Sequence, residues 1–280
     1  MRGPLREVRY RLSGPAGGWF PGAHRSRRGD AGFEFRGHAP LADAPDARRL
    51  DLHASLRDPF GQWQVRLASE RKAIAVAVVA DLSASMAFEG PVRKMDVLAD
   101  LVDSLAWSAW RSGDSFGFVG AGDTVERTLP QTRRRGAGPA LAGELRRHAP
   151  AGRSARGLLD AHRHLPARRA LVLLVSDFHW PLDDVRAVLR SLAAHDVVPV
   201  VLWQPAEFTL GAAHGLAPAL EPESGARRWI WWRPTLRERW QAAAAERRAA
   251  FVAAMRAERV EPVIVEGAFD ADALTRHFAA

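Results

Sequence analysis

The sequence predicts an α/β fold, doubly wound around a mainly parallel sheet, and three observations carry that prediction. Ile74 to Ala80 and Ala170 to Val175 are short, unbroken apolar runs of the length expected for strands buried on both faces. Helical patterns, with apolar residues three and four apart, separate these runs from each other and from a third, Val197 to Leu202. The first two runs end abruptly in oxygen-bearing side chains, Asp81-Leu-Ser83-Ala-Ser85 and Ser176-Asp177. In an open α/β sheet, ligands bind at the carboxyl ends of the strands.

A chain of 280 residues has room for one large domain, or one domain with an appendage. With no cysteine, neither a disulfide framework nor a thiolate metal site is open to it. No apolar stretch approaches the roughly 18 residues of a membrane span. The first ten residues carry charges where a signal peptide needs an apolar core. The expected location is the cytoplasm.

The formal net charge is +8, and lysine occurs only at Lys72 and Lys94, so nearly all the positive charge is arginine. Between Gln131 and Arg169, ten Arg stand against Glu144 and Asp160. Such a run is either a set of solvated helix faces or a surface for an acidic partner. No helix-turn-helix, zinc knuckle or ribonucleoprotein signature supports nucleic acid.

Taken in order, residues 1–70 read as a loop and strand extension packed on a main domain of residues 71–280. Gly14 to Gly22 and His24 to Gly29 are predicted loops. Trp19, Phe20, Phe33 and Phe35 are the residues that would pin the extension. Asp46 to Ser55 alternates charged and apolar residues and reads as a strand or extended segment, with Trp63 to Leu67 as another. The extension has too few apolar residues for a core of its own.

After the central strand, Met95, Leu98, Val102, Leu105 and Ala109 mark one face of a helix from Lys94 to Arg111, closed by Gly113. Trp107 and Trp110 lie partly off that stripe, as packing beneath a neighbour or as a binding platform. Phe116 to Val119 and Val125 to Leu129 form a predicted antiparallel hairpin at the sheet edge. A loop at Gly136 to Pro139 leads to a short helix ending at His148. Ser154 is placed to cap a helix bearing Leu158, Leu159, His162 and Leu165. Val185, Val188, Leu189 and Leu192 mark the next helix. Residues 204–233 read as an insertion with a β-hairpin that contains Trp229-Ile-Trp-Trp. Leu236 to Glu258 is a long helix, Pro262 to Val265 a last strand and Asp270 to Phe278 a last helix.

One carboxylate and two hydroxyls at alternate positions, Asp81, Ser83 and Ser85, offer hard oxygens with little negative charge. Such a set suits Mg²⁺, which keeps several of its waters. A Ser-rich turn capping the next helix would look similar. Gly152-Arg-Ser154 and Ser176-Asp177 are predicted to converge on the same end of the sheet.

The order Asp-x-Ser-x-Ser, then a hydroxyl in a Gly-containing loop, then an Asp after a buried strand, resembles the metal-ion-dependent adhesion site of von Willebrand factor A domains. The resemblance implies that Ser83, Ser85 and Ser154 touch Mg²⁺ or another divalent cation, with Asp81 and Asp177 acting directly or through waters. Ser154 stands where that family usually has Thr. Arg153 and Arg156 flank the loop; they would weaken metal binding in the free protein and draw an acidic partner. Asp46-x-Arg-Arg-Leu-Asp51, Glu70-Arg71, Gly113-Asp114, Ser176-Asp177-Phe178 and Asp196-Val-Val-Pro-Val resemble domain-of-unknown-function family 58. Within it, His24-Arg-Ser-Arg and Ser55-Leu-Arg-Asp-Pro-Phe look most like soluble accessory proteins of methanol-oxidation gene clusters. That resemblance implies a partnership with a MoxR-type AAA+ ATPase that matures or activates a client complex, methanol dehydrogenase being one client.

The leading expectation is a non-enzymatic module in which the ion bridges to a partner carboxylate. Two others remain beside it: a metal-independent scaffold with a degenerate site, and a basic nucleic-acid-binding protein. Ser85, Asp177 and His179 also suggest a hydrolase, but no Gly-x-Ser-x-Gly elbow or phosphate-binding loop accompanies them.

Overall fold

The computed structural model describes residues 7–12, 21–25, 34–69, 71–208, 215–220 and 227–279. The chain forms two compact units, one of residues 12–74 and one of residues 1–11 with 75–280. The boundary therefore falls at 74/75, and residues 7–11 belong with the larger unit.

In the smaller unit, β1 (Pro21–Arg25) pairs antiparallel with β4 (Arg71–Lys72), and β2 (Glu34–Pro40) with β3 (Gln64–Ser69). Residues 21–22 and 24–25, expected in loops, are strand because their backbone pairs with β4. The rest of those loops, with Trp19, Phe20, Phe33 and Glu70, lies outside the described residues. Phe35 is exposed rather than a buried pin, and its ring meets that of His38 edge-on.

The extended reading of Asp46 to Ser55 is wrong. Ala47–Arg49 is a 3₁₀ turn and Leu52–Leu56 is a short helix, α1. The charged residues that made the alternation are caps: Asp46 accepts from the Arg48 N–H and Asp51 from the Ala54 N–H. Asp51 also binds Arg66 Nε at 2.6 Å and His38 Nε2 at 3.1 Å.

The larger unit is built on six strands: β5 (Ala75–Asp81), β6 (Ser115–Ala121), β7 (Val125–Thr132), β8 (Leu171–Ser176), β9 (Asp196–Trp203) and β12 (Val263–Glu266). Their order is β12-β9-β8-β5-β6-β7, parallel throughout except for β7, which closes one edge as the antiparallel arm of a hairpin. Every residue of β5 and β8 is buried, as their continuous apolar runs require. The helices are α2 (Lys94–Arg111), α3 (Ala137–Arg147), α4 (Leu182–Ser191), α5 (Pro205–Phe208), α6 (Pro234–Ala257) and α7 (Ala271–Ala279).

Ala75, Ala77 and Val79 face a core shared with the 156–164 turn, α4 and α6. Alternation turns Val76, Val78 and Ala80 to the opposite face, the side of α2. Residues 7–11 fasten to the helices of this unit. The Val8 N–H donates to Ser108 Oγ on α2, the Arg9 N–H to Thr275 Oγ1 on α7, and the Tyr10 hydroxyl to the buried Asp114.

Local expectations change in places: Ala137–Pro139, expected in a loop, open α3. The segment Arg156–His164 is 3₁₀ rather than α, and Ser154 does not cap it; the Ser154 hydroxyl is spent on Asp123. Trp107 is half-buried and Trp110 exposed, and their rings meet beneath the Arg135 guanidinium. The Trp-rich segment is strand β11 (Arg227–Trp232), paired antiparallel with β10 (Gly215–Leu220). Residues 209–214 and 221–226 of that predicted insertion lie outside the described ones. No helix among the described residues is long and apolar enough to cross a membrane.

Candidate metal centre

Where β5 ends, Asp81 is fully buried and both of its oxygens are engaged. Oδ1 accepts the Ser83 N–H at 2.8 Å, a local turn that swings the chain round so that the Ser83 and Ser85 hydroxyls come within 3.3 Å of each other. Oδ2 accepts the Ser176 hydroxyl at 2.7 Å. Ser176 Oγ in turn accepts the Phe178 N–H at 2.9 Å and the Trp180 indole N–H at 3.0 Å.

Beyond β8 the chain turns sharply. Phe178 has φ of 52°, a left-handed conformation that a bulky side chain adopts at a cost of about 1–2 kcal/mol. Its ring is held there between Trp180 and Phe251. This turn leaves Asp177 wholly buried, with the Trp203 indole donating to its carbonyl. Asp177 Oδ2 receives the Lys94 ammonium at 2.7 Å, and Oδ1 the His179 N–H at 3.2 Å. Lys94 Nζ also donates to Glu207 Oε2 at 2.9 Å and to the Ser85 carbonyl at 3.3 Å. His179 Nε2 meets that same Glu207 oxygen at 2.9 Å. Ligand atoms of Asp177, His179 and Glu207 lie within 4.8 Å of one another.

The third loop is drawn in from the far side. The Gly152 carbonyl accepts the Ala84 N–H at 3.3 Å. Gly152 has φ of 100°, and a Cβ there would lie 3.1 Å from Asp123 Oδ2. Asp123 collects the Arg153 N–H at 3.2 Å and the Ser154 hydroxyl at 2.7 Å. A hydroxyl that donates keeps lone pairs to offer an ion. Gly157 settles against Thr124 so closely that a Cβ would sit 2.5 Å from its backbone. The Arg153 and Arg156 side chains are exposed.

The structure thus brings Asp81, Ser83, Ser85 and Asp177 to one place and lays the loop of Ser154 beside them. Sequence reasoning missed Lys94, Asp123 and Glu207 as members of the site, placed Ser176 in a converging loop without giving it a role, and met His179 only as a hydrolase residue. One signal did mark Lys94: it is one of two lysines in a chain that otherwise uses arginine.

Burial, reinforced by the neighbouring charge of Asp177, pushes the Asp81 carboxyl up to about 6. Burial would raise Asp177 as well, but the charges of Lys94 and His179 and the bonds they donate hold it below the usual range. Asp177 and Glu207 share the Lys94 ammonium, and Asp81 lies close enough to Asp177 to feel its charge. Carboxylate oxygens with hydroxyls at Ser83, Ser85 and Ser154 are the kind of donor set that a hard divalent cation takes. The arginine excess at 131–169 is partly neutralised, since Arg146, Arg163 and Arg169 pair with Asp100, Asp160 and Asp196.

A doubly wound sheet with this Asp-x-Ser-x-Ser turn at its centre defines a von Willebrand factor A-like module. The chain matches the family described as "Protein of unknown function DUF58" over residues 43–250, and it belongs to that family. It is similar to an "uncharacterized protein in moxR 3′ region" of Paracoccus denitrificans, with 35% identity over 82 residues, 29% of this chain and 74% of the relative. Among solved structures, BatB of Bacteroides thetaiotaomicron aligns with a TM-score of 0.40 at 15% identity, covering 74% of this chain and 96% of that one. The SpRpn10 VWA domain aligns with a TM-score of 0.39 at 12% identity, covering 73% and 93%.

Proposed function

We propose that this chain is a non-enzymatic, metal-dependent protein-binding module that acts in the cytoplasm with a MoxR-type AAA+ ATPase to mature or activate a client complex. The observation that carries the reading is the convergence of Asp81, Ser83, Ser85 and Asp177 at the carboxyl ends of neighbouring parallel strands. The gene-neighbourhood name of the Paracoccus relative supports the choice of partner. Ser83, Ser85 and Ser154 would hold Mg²⁺ or a similar cation, with Asp81 and Asp177 acting directly or through waters. The ion supplies an electrophilic position that a partner's Asp or Glu can fill. Asp81 and Ser176 hold the two strand ends together, while Asp123 holds the third loop. Exposed Arg153 and Arg156 lie beside that loop and favour an acidic surface. Methanol dehydrogenase is one client that fits.

A second reading, a metal-independent scaffold, is favoured by the bonds that Lys94 already makes to Asp177 and Glu207. The two readings separate in one experiment. The purified chain is titrated against a MoxR-type ATPase of the same organism, in Mg²⁺ and in EDTA, beside Asp81→Ala. Binding lost in EDTA and in a folded D81A supports the metal bridge. Binding indifferent to both overturns it and leaves the scaffold.

A further inference from the structure

Lys94 is an unusual occupant for the first turn of a helix. Its side chain is 1% exposed, and its ammonium is shared between two carboxylates that are themselves 0% and 9% exposed. A buried ammonium is tolerated only where it is paired in this way. Its place is also the one from which it affects the metal centre. It holds Asp177 Oδ2, donates to the carbonyl of Ser85, and lies 5.6 Å from the ring centroid of Phe88 at the end of the Asp-x-Ser-x-Ser turn. The sequence pointed to Arg153 and Arg156 as the positive charges opposing an ion, but those side chains are exposed. Among the described residues, Lys94 is a fully buried cation that faces the centre.

We infer that Lys94 is a tethered cation that competes with the divalent ion for Asp177, so that the site holds its metal firmly only once a partner carboxylate joins it. This rests on the metal-bridge reading above and names the residue that makes the bridge conditional. An ion seated by Ser83 and Ser85 would compete with Lys94 for the negative charge of Asp177 Oδ2, and its charge would repel the ammonium beside it. The free protein therefore holds the ion weakly. A partner's Asp or Glu supplies the negative charge that Lys94 offsets, and metal and partner then tighten each other by the same factor. Glu207 gives the ammonium a second anchor, so Lys94 can loosen from Asp177 without losing every partner.

The test uses the full chain and Mg²⁺ alone. Calorimetric titration of wild type, Lys94→Ala and Lys94→Gln is expected to show weak binding in wild type and at least tenfold tighter binding in the variants. Equal affinities in all three overturn the inference while leaving the metal bridge standing. Absence of binding in all three overturns both. Should neither variant fold, wild type decides the matter by lysine labelling, since Lys94 and Lys72 are the only lysines. Reductive methylation read by mass spectrometry is expected to find Lys94 protected and to label it faster as Mg²⁺ is added, with the Lys72 peptide as reference. Labelling of Lys94 that does not change with Mg²⁺ overturns the inference.

Discussion

The hydroxyl of Ser176 donates to Asp81 Oδ2 at 2.7 Å, and neither residue is exposed at all. That bond joins the ends of β5 and β8. The Ser176 hydroxyl oxygen itself accepts two N–H groups, from Phe178 and Trp180. Ser176→Ala therefore leaves one buried carboxylate short of a donor and two buried donors without an acceptor. The expected loss is about 2–3 kcal/mol in urea denaturation. A loss below about 0.5 kcal/mol would show that the three bonds are not made in solution.

Asp123 gathers the 152–154 loop from outside the sheet, and burial contributes little to its behaviour. The Ser154 hydroxyl and the Arg153 N–H hold its carboxyl below the usual range. Asp123→Ala should change global stability by less than about 1 kcal/mol, as surface substitutions do. It should nonetheless free the loop, and trypsin should cut after Arg153 faster than in wild type. Unchanged cleavage would mean that Asp123 does not order the loop.

Val78 lies at the centre of β5 with no exposed surface, flanked by Phe118 and Leu173 on the adjacent strands. Val78→Asp places an unpaired charge in a layer closed on both sides. Its cost of several kcal/mol is comparable with a typical total stability of about 5–15. The variant is expected to be insoluble or to lack cooperative unfolding. A soluble V78D with a sharp melting transition contradicts the buried position of this strand.

Acid should weaken the smaller unit through Asp51. Its carboxyl is held well below the usual range, first by Arg66, then by the Ala54 N–H and His38. A depressed carboxylate stabilises the fold fully above the unfolded-state value near 4. That contribution fades as pH falls through and below this value. Melting temperature measured from pH 7 to pH 3 should drop more steeply in wild type than in Asp51→Asn, which has no such proton to gain. Parallel curves would remove Asp51 from the account.

Arg153 offers a contrast with Lys94. Its exposed guanidinium is screened by solvent and salt. Arg153→Ala should alter the Mg²⁺ affinity of the free protein by no more than about twofold, while slowing association with an acidic partner. An affinity gain in R153A as large as that in K94A would show that the loop folds its arginine inward.

The sheet was legible because β5 and β8 are buried on both faces, which demands the continuous apolar runs seen from Ala75 and from Leu171. The positions of Asp81, Ser83, Ser85 and Asp177 followed from spacing, since strand ends of a parallel sheet gather on one side. Lys94, Asp123 and Glu207 were not legible as a group. Each sits on a different element, and only the crossover geometry brings Lys94 to Asp177, which lies 83 residues further along the chain. Asp46 and Asp51 misled because a capping carboxylate and a solvent-facing strand residue leave the same trace in an alternating pattern. The hydroxyl of Ser154 was assigned to a helix it does not cap, since a nearby acceptor on Asp123 competes for it.

The attachment of residues 7–11 bears on the order in which the chain can assemble as it is made. Arg9 bonds to Thr275, 266 residues later, whereas Val8 bonds to Ser108, 100 residues away. At roughly 5–20 residues per second, the ribosome delivers Thr275 some 10–50 s after Arg9. Through most of that interval Tyr10 can find Asp114 but not Phe278, whose ring it meets edge-on in the finished protein. Residues 7–11 are thus fastened in two stages, to Ser108 and Asp114 first and to Thr275 and Phe278 only once α7 has been made.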